Sequence, residues 1–302
     1  MRRYRGSISD NARWDGFEFR ADDIVICTPA KCGTTWMQTM VATLVFSSVE
    51  LPAPVGHLSP WLDMVTRPVD EVHQRLAVQT HRRFIKTHTP FDGLPYDEQV
   101  TYIAVLRHPL DVALSIRDHR RTIDRDRIRD LVAGVDPDII TTWVDIDQPE
   151  DEAHYLRWWV DFDEDVWSQG VSGLGEFARH ARTYWEARHL PNVTLFHYDD
   201  LVADLHAQMT RLADVLGVEV DPPRMSEFVE AARFDAMRSR AALTVPDSDI
   251  TAWRVPETFF STGGRRAWGT LLSDADVARF RVRLRELAGN DLAGWLDREC
   301  EP

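Results

Sequence analysis

The sequence predicts an α/β domain with a central, mostly parallel sheet flanked by helices. Three observations lead there. The apolar runs Ile24–Cys27, Tyr102–Leu106 and Val193–Phe196 have the length and character of buried strands. Between them, apolar residues recur at helical spacing. No Pro/Gly/Ser-rich linker, repeat or low-complexity tract interrupts the 302 residues, so a single domain over 1–302 is expected.

The elements follow in order. Ile24–Cys27 reads as a strand buried on both faces, and Thr28–Gly33 as a tight loop. From Thr34 onward, Trp36, Met37, Met40, Val41, Leu44 and Val45 mark a helix. Phe84 to Pro90 reads as a short strand entering a loop. Tyr102–Leu106 is a further strand ending at Arg107; Pro109 near N1 and Asp111 in the first turn then open a helix. After Val193–Phe196, the residues Leu201, Leu205, Leu212 and Leu216 predict one helix stopping at Gly217. Met225, Phe228, Val229 and Ala232 suggest another. Ser273 is placed to cap the last, with Asp276 at N3.

Composition narrows the partners. Lys plus Arg number 35 against 49 Asp plus Glu, a formal charge of −14, which argues against nucleic acid. No apolar run approaches membrane-spanning length, and the N-terminus lacks the apolar stretch of a secretory signal. Three cysteines, Cys27, Cys32 and Cys300, fit a reducing cytoplasm better than a disulfide framework. Neither His-Glu-x-x-His nor paired Cys-x-x-Cys occurs, so no metal site is expected.

The segment from Ile24 to Phe46 is the most specific. A strand, a short loop holding Lys31 and Gly33, and a helix opening with Thr34 and Thr35 form a ready anion site, because free N–H groups and the dipole at a helix start favour phosphate or sulfate. In a Walker A loop the lysine follows the glycine directly. Here Lys31 precedes Gly33, so the loop reads as one that holds phosphate without a metal.

Pro29-Ala30-Lys31-Cys32-Gly33-Thr34-Thr35-Trp36 resembles the Pro-Lys-Ser-Gly-Thr-Thr-Trp loop of cytosolic-type sulfotransferases, with Ala30 and Cys32 as departures. Further segments follow in family order. Lys86-Thr87-His88-Thr89-Pro90 is similar to Lys-Thr-His-Leu-Pro. Arg107 to Ser115 is similar to Arg-x-Pro-x-Asp-x-x-x-Ser. Tyr198-Asp199-Asp200 matches Tyr-Glu-Asp, and Phe234 to Met237 a Phe-x-x-Met segment.

The resemblance implies a P-loop-like fold and sulfuryl transfer from 3′-phosphoadenosine 5′-phosphosulfate (PAPS), with 3′-phosphoadenosine 5′-phosphate (PAP) as product. It implies His88 as catalytic base, with Lys31 and Lys86 on the phosphosulfate. Cys32, Gly33, Thr34 and Thr35 would lie at the 5′-phosphate, and Arg107 and Ser115 at the 3′-phosphate. Trp36, Tyr198, Phe234 and Met237 would lie around the adenine.

Near the C-terminus the match is partial. Phe260, Gly263 and Trp268 keep their places, but the family's Arg-Lys pair is missing. Gly263, Gly264, Arg265 and Arg266 are expected to take over a phosphate contact. The family's dimerisation segment is not reproduced at Gly269–Asp274.

Between 118 and 172 the pattern loosens, and Trp143, Trp158, Trp159 and Trp167 fall there. This stretch is expected to enclose a small-molecule alcohol or amine acceptor of aromatic or lipid-like character; ordinary core tryptophans are the other reading. Trp61 is a further candidate wall. Two other functions stay open at this point. One is an ATP-dependent small-molecule kinase, which the position of Lys31 disfavours. The other is a non-catalytic nucleotide-binding module.

Overall fold

The computed structural model describes residues 1–139, 147–162, 173–244 and 267–298. Its centre is a four-stranded parallel sheet of β1 (Ile24–Cys27), β2 (Phe84–Thr87), β3 (Thr101–Leu106) and β4 (Val193–His197), in the order β2-β1-β3-β4. Parallel neighbours need crossover connections, and helices supply them. These are α1 (Thr34–Phe46), α2 (Val55–Leu58), α3 (Val69–Ala77), α4 (Pro109–Thr122), α5 (Arg125–Val135), α6 (Glu152–Asp161) and α7 (Leu174–Ala187). After β4 come α8 (Tyr198–Ala203), α9 (Leu205–Leu216), α10 (Pro222–Ala231), α11 (Phe234–Ser239), α12 (Ala241–Thr244), α13 (Asp274–Ala288) and α14 (Asn290–Leu296).

Alternation along β1 splits the core. Ile24 and Ile26 face one side, packing with Met40, Val41, Phe196, Leu212 and Phe228. Val25 and Cys27 face the other, with Trp14, Leu76, Ile85, Tyr102 and Tyr184. Each strand residue is buried on its own face, which is why the run reads as uniformly apolar. Burying each such Ile, Val or Phe contributes roughly 1.5–3 kcal/mol. A further cluster packs α4, α6 and α7 against α13 and α14 around Leu110, Trp159, Phe177 and Leu284.

One predicted helix is two. The stretch from Leu201 to Leu216 breaks at Asp204, whose side chain accepts from the N–H of Ala207 and caps α9. Gly217 ends α9 in the left-handed region at φ +64°, as its position suggests. Ser273 and Asp276 form a reciprocal capping box at the start of α13.

Candidate active site

All four strands run the same way, so their carboxyl ends share one edge. Cys27 lies beside Thr87, and Leu106 beside His197. The next residues, Thr28, His88, Arg107 and Tyr198, therefore open into a single crevice, the usual ligand position in such sheets.

The loop between β1 and α1 is held in an unusual conformation. Lys31 sits at φ +67° and Gly33 at φ +102°, both in the left-handed region. A non-glycine residue there is strained, and such strain gathers at functional sites. Gly33 also sits against Tyr198; a Cβ in its place would lie 3.1 Å from the Tyr198 Cδ2. The N–H of Cys32 donates to the carbonyl of Pro29 at 3.3 Å, and the hydroxyls of Thr28 and Thr34 hydrogen-bond across the loop. No side chain caps α1 and no acidic residue lies in its first turn. Its N-terminal N–H groups and dipole are thus left for an anion. The Cys32 thiol packs into the core beside Leu106 and Leu110, where burial pushes it up to about 12. Burial outweighs the adjacent Lys31 and Arg107, so this thiol is neither a thiolate nor exposed to the crevice.

Three cations converge on this loop in a chain that is acidic overall. Lys31 is held down to about 8, first by burial and then by Arg107 and Lys86. Arg107 donates from Nη1 to the Lys31 carbonyl at 3.4 Å and lies over the Tyr198 ring at 4.2 Å. Trp36 meets the same tyrosine edge-on, with ring centroids 5.5 Å apart. Lys86 is buried, its ammonium 4.2 Å from the centroid of the Trp61 ring.

His88 is 7% exposed, and its Nδ1 donates to the Thr28 carbonyl at 2.6 Å. Burial lowers its pKa well below 6.5, with Lys86, His180 and Lys31 acting in the same direction. The imidazole is thus neutral at neutral pH, and Nε2 carries the lone pair. The loop around it is clamped twice. Thr87 donates to Asp63 Oδ2 at 2.6 Å, and the Thr89 hydroxyl donates to the same oxygen. Tyr184 donates to the Thr89 carbonyl at 2.8 Å. Trp61 stands edge-on to His88 at 4.7 Å, so one indole touches both His88 and Lys86.

Lys31, Gly33, Thr34, Thr35, Trp36, Lys86, His88, Arg107 and Tyr198 therefore gather at this end of the sheet. Ser115 lies on α4, one turn before His119 and one turn after Asp111, on the face that reaches Lys31. Phe234 and Met237 are set further back on α11, which packs on α10 and through it on α1. Gly263, Gly264, Arg265 and Arg266 lie outside the described residues, as do Trp143, Trp167 and Cys300. Trp268, next in sequence among the described residues after Ala267, stacks on His108 at 4.8 Å; His108 is the neighbour of Arg107 and also bonds Asp297 at 3.1 Å. Trp159 is wholly buried among α4, α6 and α7, which settles it as core.

Sequence reasoning misses two residues here. Asp63 carries no local motif, and its carboxylate meets Thr87 and Thr89 only through the fold. His119 is one histidine among 11, identified only by its contact with Lys31. Among the described residues, no group of three His, Cys, Asp or Glu side chains is placed to hold a metal ion.

The chain matches the family model described as "Sulfotransferase domain" over residues 21–290. It is 38% identical to a glycolipid sulfotransferase of Mycobacterium tuberculosis, covering 97% of this chain and 93% of that protein. It is 25% identical to a luciferin sulfotransferase of Photinus pyralis, covering 87% and 71%. Its fold resembles a mouse sulfotransferase complexed with PAP, at TM-score 0.68 and 20% identity over 94% of this chain and 90% of that one. It also resembles retinol dehydratase in a complex with retinol and PAP, at TM-score 0.69 and 16% identity over 96% and 86%.

Proposed function

The chain belongs to the sulfotransferase family, and from that premise we propose a PAPS donor, a His88 base and a lipid-linked alcohol as acceptor. It is an enzyme that transfers a sulfuryl group. The observation that carries the donor assignment is the convergence of Lys31, Lys86 and Arg107 on one crevice in a protein of net charge −14.

The left-handed loop and the first turn of α1 hold the donor's 5′-phosphate through N–H groups and the hydroxyls of Thr34 and Thr35. Arg107, braced on Tyr198, offers a planar fork to the 3′-phosphate, with Ser115 alongside. Arg265 and Arg266 add charge there. Trp36 and Tyr198 border the adenine, with Phe234 and Met237 behind.

His88 takes the acceptor's hydroxyl proton at Nε2. The freed oxygen forms a bond to sulfur as the bond from sulfur to the bridging oxygen breaks. That oxygen leaves on PAP, and Lys31 and Lys86 neutralise its growing charge. A metal is not needed in this scheme, because the fixed cations occupy that role.

The acceptor side is bounded by Trp61 and by α5. Met64, Val65, Ile128 and Val132 form an apolar cluster with Trp61 and Ile8. That buried cluster backs Trp61, whose half-buried indole beside His88 suits an apolar part of the acceptor, in keeping with the glycolipid sulfotransferase relatives. Residues 118–172 form the covering segment in this reading. Two free, buried cysteines, Cys27 and Cys32, are compatible with a cytoplasmic location. Among the described residues no helix is long and apolar enough to cross a membrane.

The deciding experiment compares thermal shifts with PAP and with ATP plus Mg²⁺. PAP should raise Tm well above the ATP value at equal concentration. Equal or larger stabilisation by ATP with Mg²⁺ would overturn the donor assignment.

A further inference from the structure

Near the end of α4 an imidazole meets the loop lysine: His119 Nδ1 lies 3.4 Å from Lys31 Nζ. Ser115 and Asp111 precede it at four-residue steps, so α4 presents one polar stripe toward the loop. We propose that His119 is a positioning residue for Lys31: its Nδ1 accepts a hydrogen bond from the ammonium and holds that charge aimed into the crevice. This rests on the reading above, in which Lys31 faces the phosphosulfate.

The roles of donor and acceptor follow from the surroundings. The last turn of a helix ordinarily favours a charged histidine. Here burial, Lys31, Lys86, His88 and Arg120 all oppose that charge, and His119 is pushed well below 6.5. The imidazole is therefore neutral and can accept. Lys31 faces Arg107 from the end of β3 and Lys86 from β2, which favour losing its proton. Asp118 on α4 and Cys32 in its own loop favour keeping it. An acceptor at 3.4 Å adds to the second group and fixes a flexible side chain in one direction. Its left-handed backbone already restricts where Lys31 can point.

The test is calorimetric titration with PAPS across pH 6.5–9.5, which needs no acceptor. In the wild type, affinity should begin to fall near pH 8, where Lys31 of the unliganded enzyme loses its proton. In His119→Phe, which keeps the ring and removes the acceptor, that onset should move down by about one pH unit. His119→Asn, which restores an acceptor near the Nδ1 position, should return it. His119→Leu gives a second acceptor-free variant should the phenylalanine not fold.

Lys31→Met separates the two ideas. If it keeps the wild-type pH dependence, the assignment of Lys31 to the phosphosulfate fails. If it abolishes the dependence while His119→Phe and His119→Leu keep the wild-type onset, only the role of His119 fails. An asparagine variant that behaves like the phenylalanine variant also overturns that role.

Discussion

His88 donates its Nδ1 proton to the carbonyl oxygen of Thr28 at 2.6 Å, which joins the residue after β2 to the residue after β1. The bond settles the tautomer: Nε2 is the nitrogen left to take a proton. Replacing His88 with alanine should lower kcat by roughly 10²–10⁴-fold, the usual share of a positioned base. KM for PAPS should change little. Radiolabelled sulfate transfer to a detergent-dispersed glucosyl lipid measures both, and full turnover by the variant would remove His88 from this role.

The pH profile should be asymmetric. His88 is held neutral well below pH 6.5, so lowering the pH from 8 to 6 should leave kcat/KM nearly flat. Above pH 8 the rate should fall as Lys31, held near 8, loses its charge. A rate that halves between pH 7 and pH 6 would contradict the His88 environment described here.

Stability should respond to acid in a way that activity at neutral pH does not reveal. Burial pushes His180 down to about 3 and His197 to about 4, and His88 and His119 are lowered too. Each binds a proton near 6.5 when unfolded but resists it when folded. The unfolded state therefore gains protons first as pH falls, and stability present above 6.5 is lost below it. Each histidine contributes a slope of about 1.4 kcal/mol per pH unit in that window. Tm measured from pH 7.5 to 4.5 should drop steeply below 6.5. His180→Phe should flatten the histidine part of the slope by about one quarter, and an unchanged slope would argue against this account.

Gly33→Ala should damage both the loop and the aromatic wall. The residue sits at φ +102°, where a Cβ costs about 1–2 kcal/mol. The new methyl would also press on Tyr198 at 3.1 Å, and Tyr198 carries the Arg107 guanidinium. Chemical denaturation should show the stability loss, and PAP affinity should fall at the same time. A variant that binds PAP like the wild type would show that the Gly33–Tyr198 contact is dispensable.

Arg107→Lys keeps the charge but removes the fork and its stacking on Tyr198. PAP affinity should fall about tenfold or more, as expected for losing a charge-assisted bidentate contact. Affinity for adenosine 5′-phosphate, which lacks the 3′-phosphate, should change far less. Equal losses in calorimetry would assign Arg107 to another part of the nucleotide.

The legible parts of this molecule are those written locally. β1 and β3 are short apolar runs because inner parallel strands bury both faces, and Lys31, His88, Arg107 and Tyr198 stand out because each comes shortly after a strand. α7 is harder to read, since Glu176 and His180 are buried among its apolar residues and interrupt the expected stripe. Asp63 and His119 are illegible for a different reason. Each acts through a partner distant in sequence, Thr87 across |i−j| = 24 and Lys31 across |i−j| = 88, and no single-segment pattern encodes that. Cys32 differs again: the resemblance sets it at the phosphate, but its side chain turns into the core beside Leu106 and Leu110, which no local pattern reveals.

The parallel order β2-β1-β3-β4 has a consequence for synthesis. Lys31, Lys86 and Arg107 emerge from the ribosome early, but Tyr198 closes the crevice only once β4 has docked on β3. Asp297, which ties down the neighbour of Arg107, arrives last of all. A chain not yet extended through β4 thus has its three cations but not the ring that braces Arg107, and donor capture waits on that last strand.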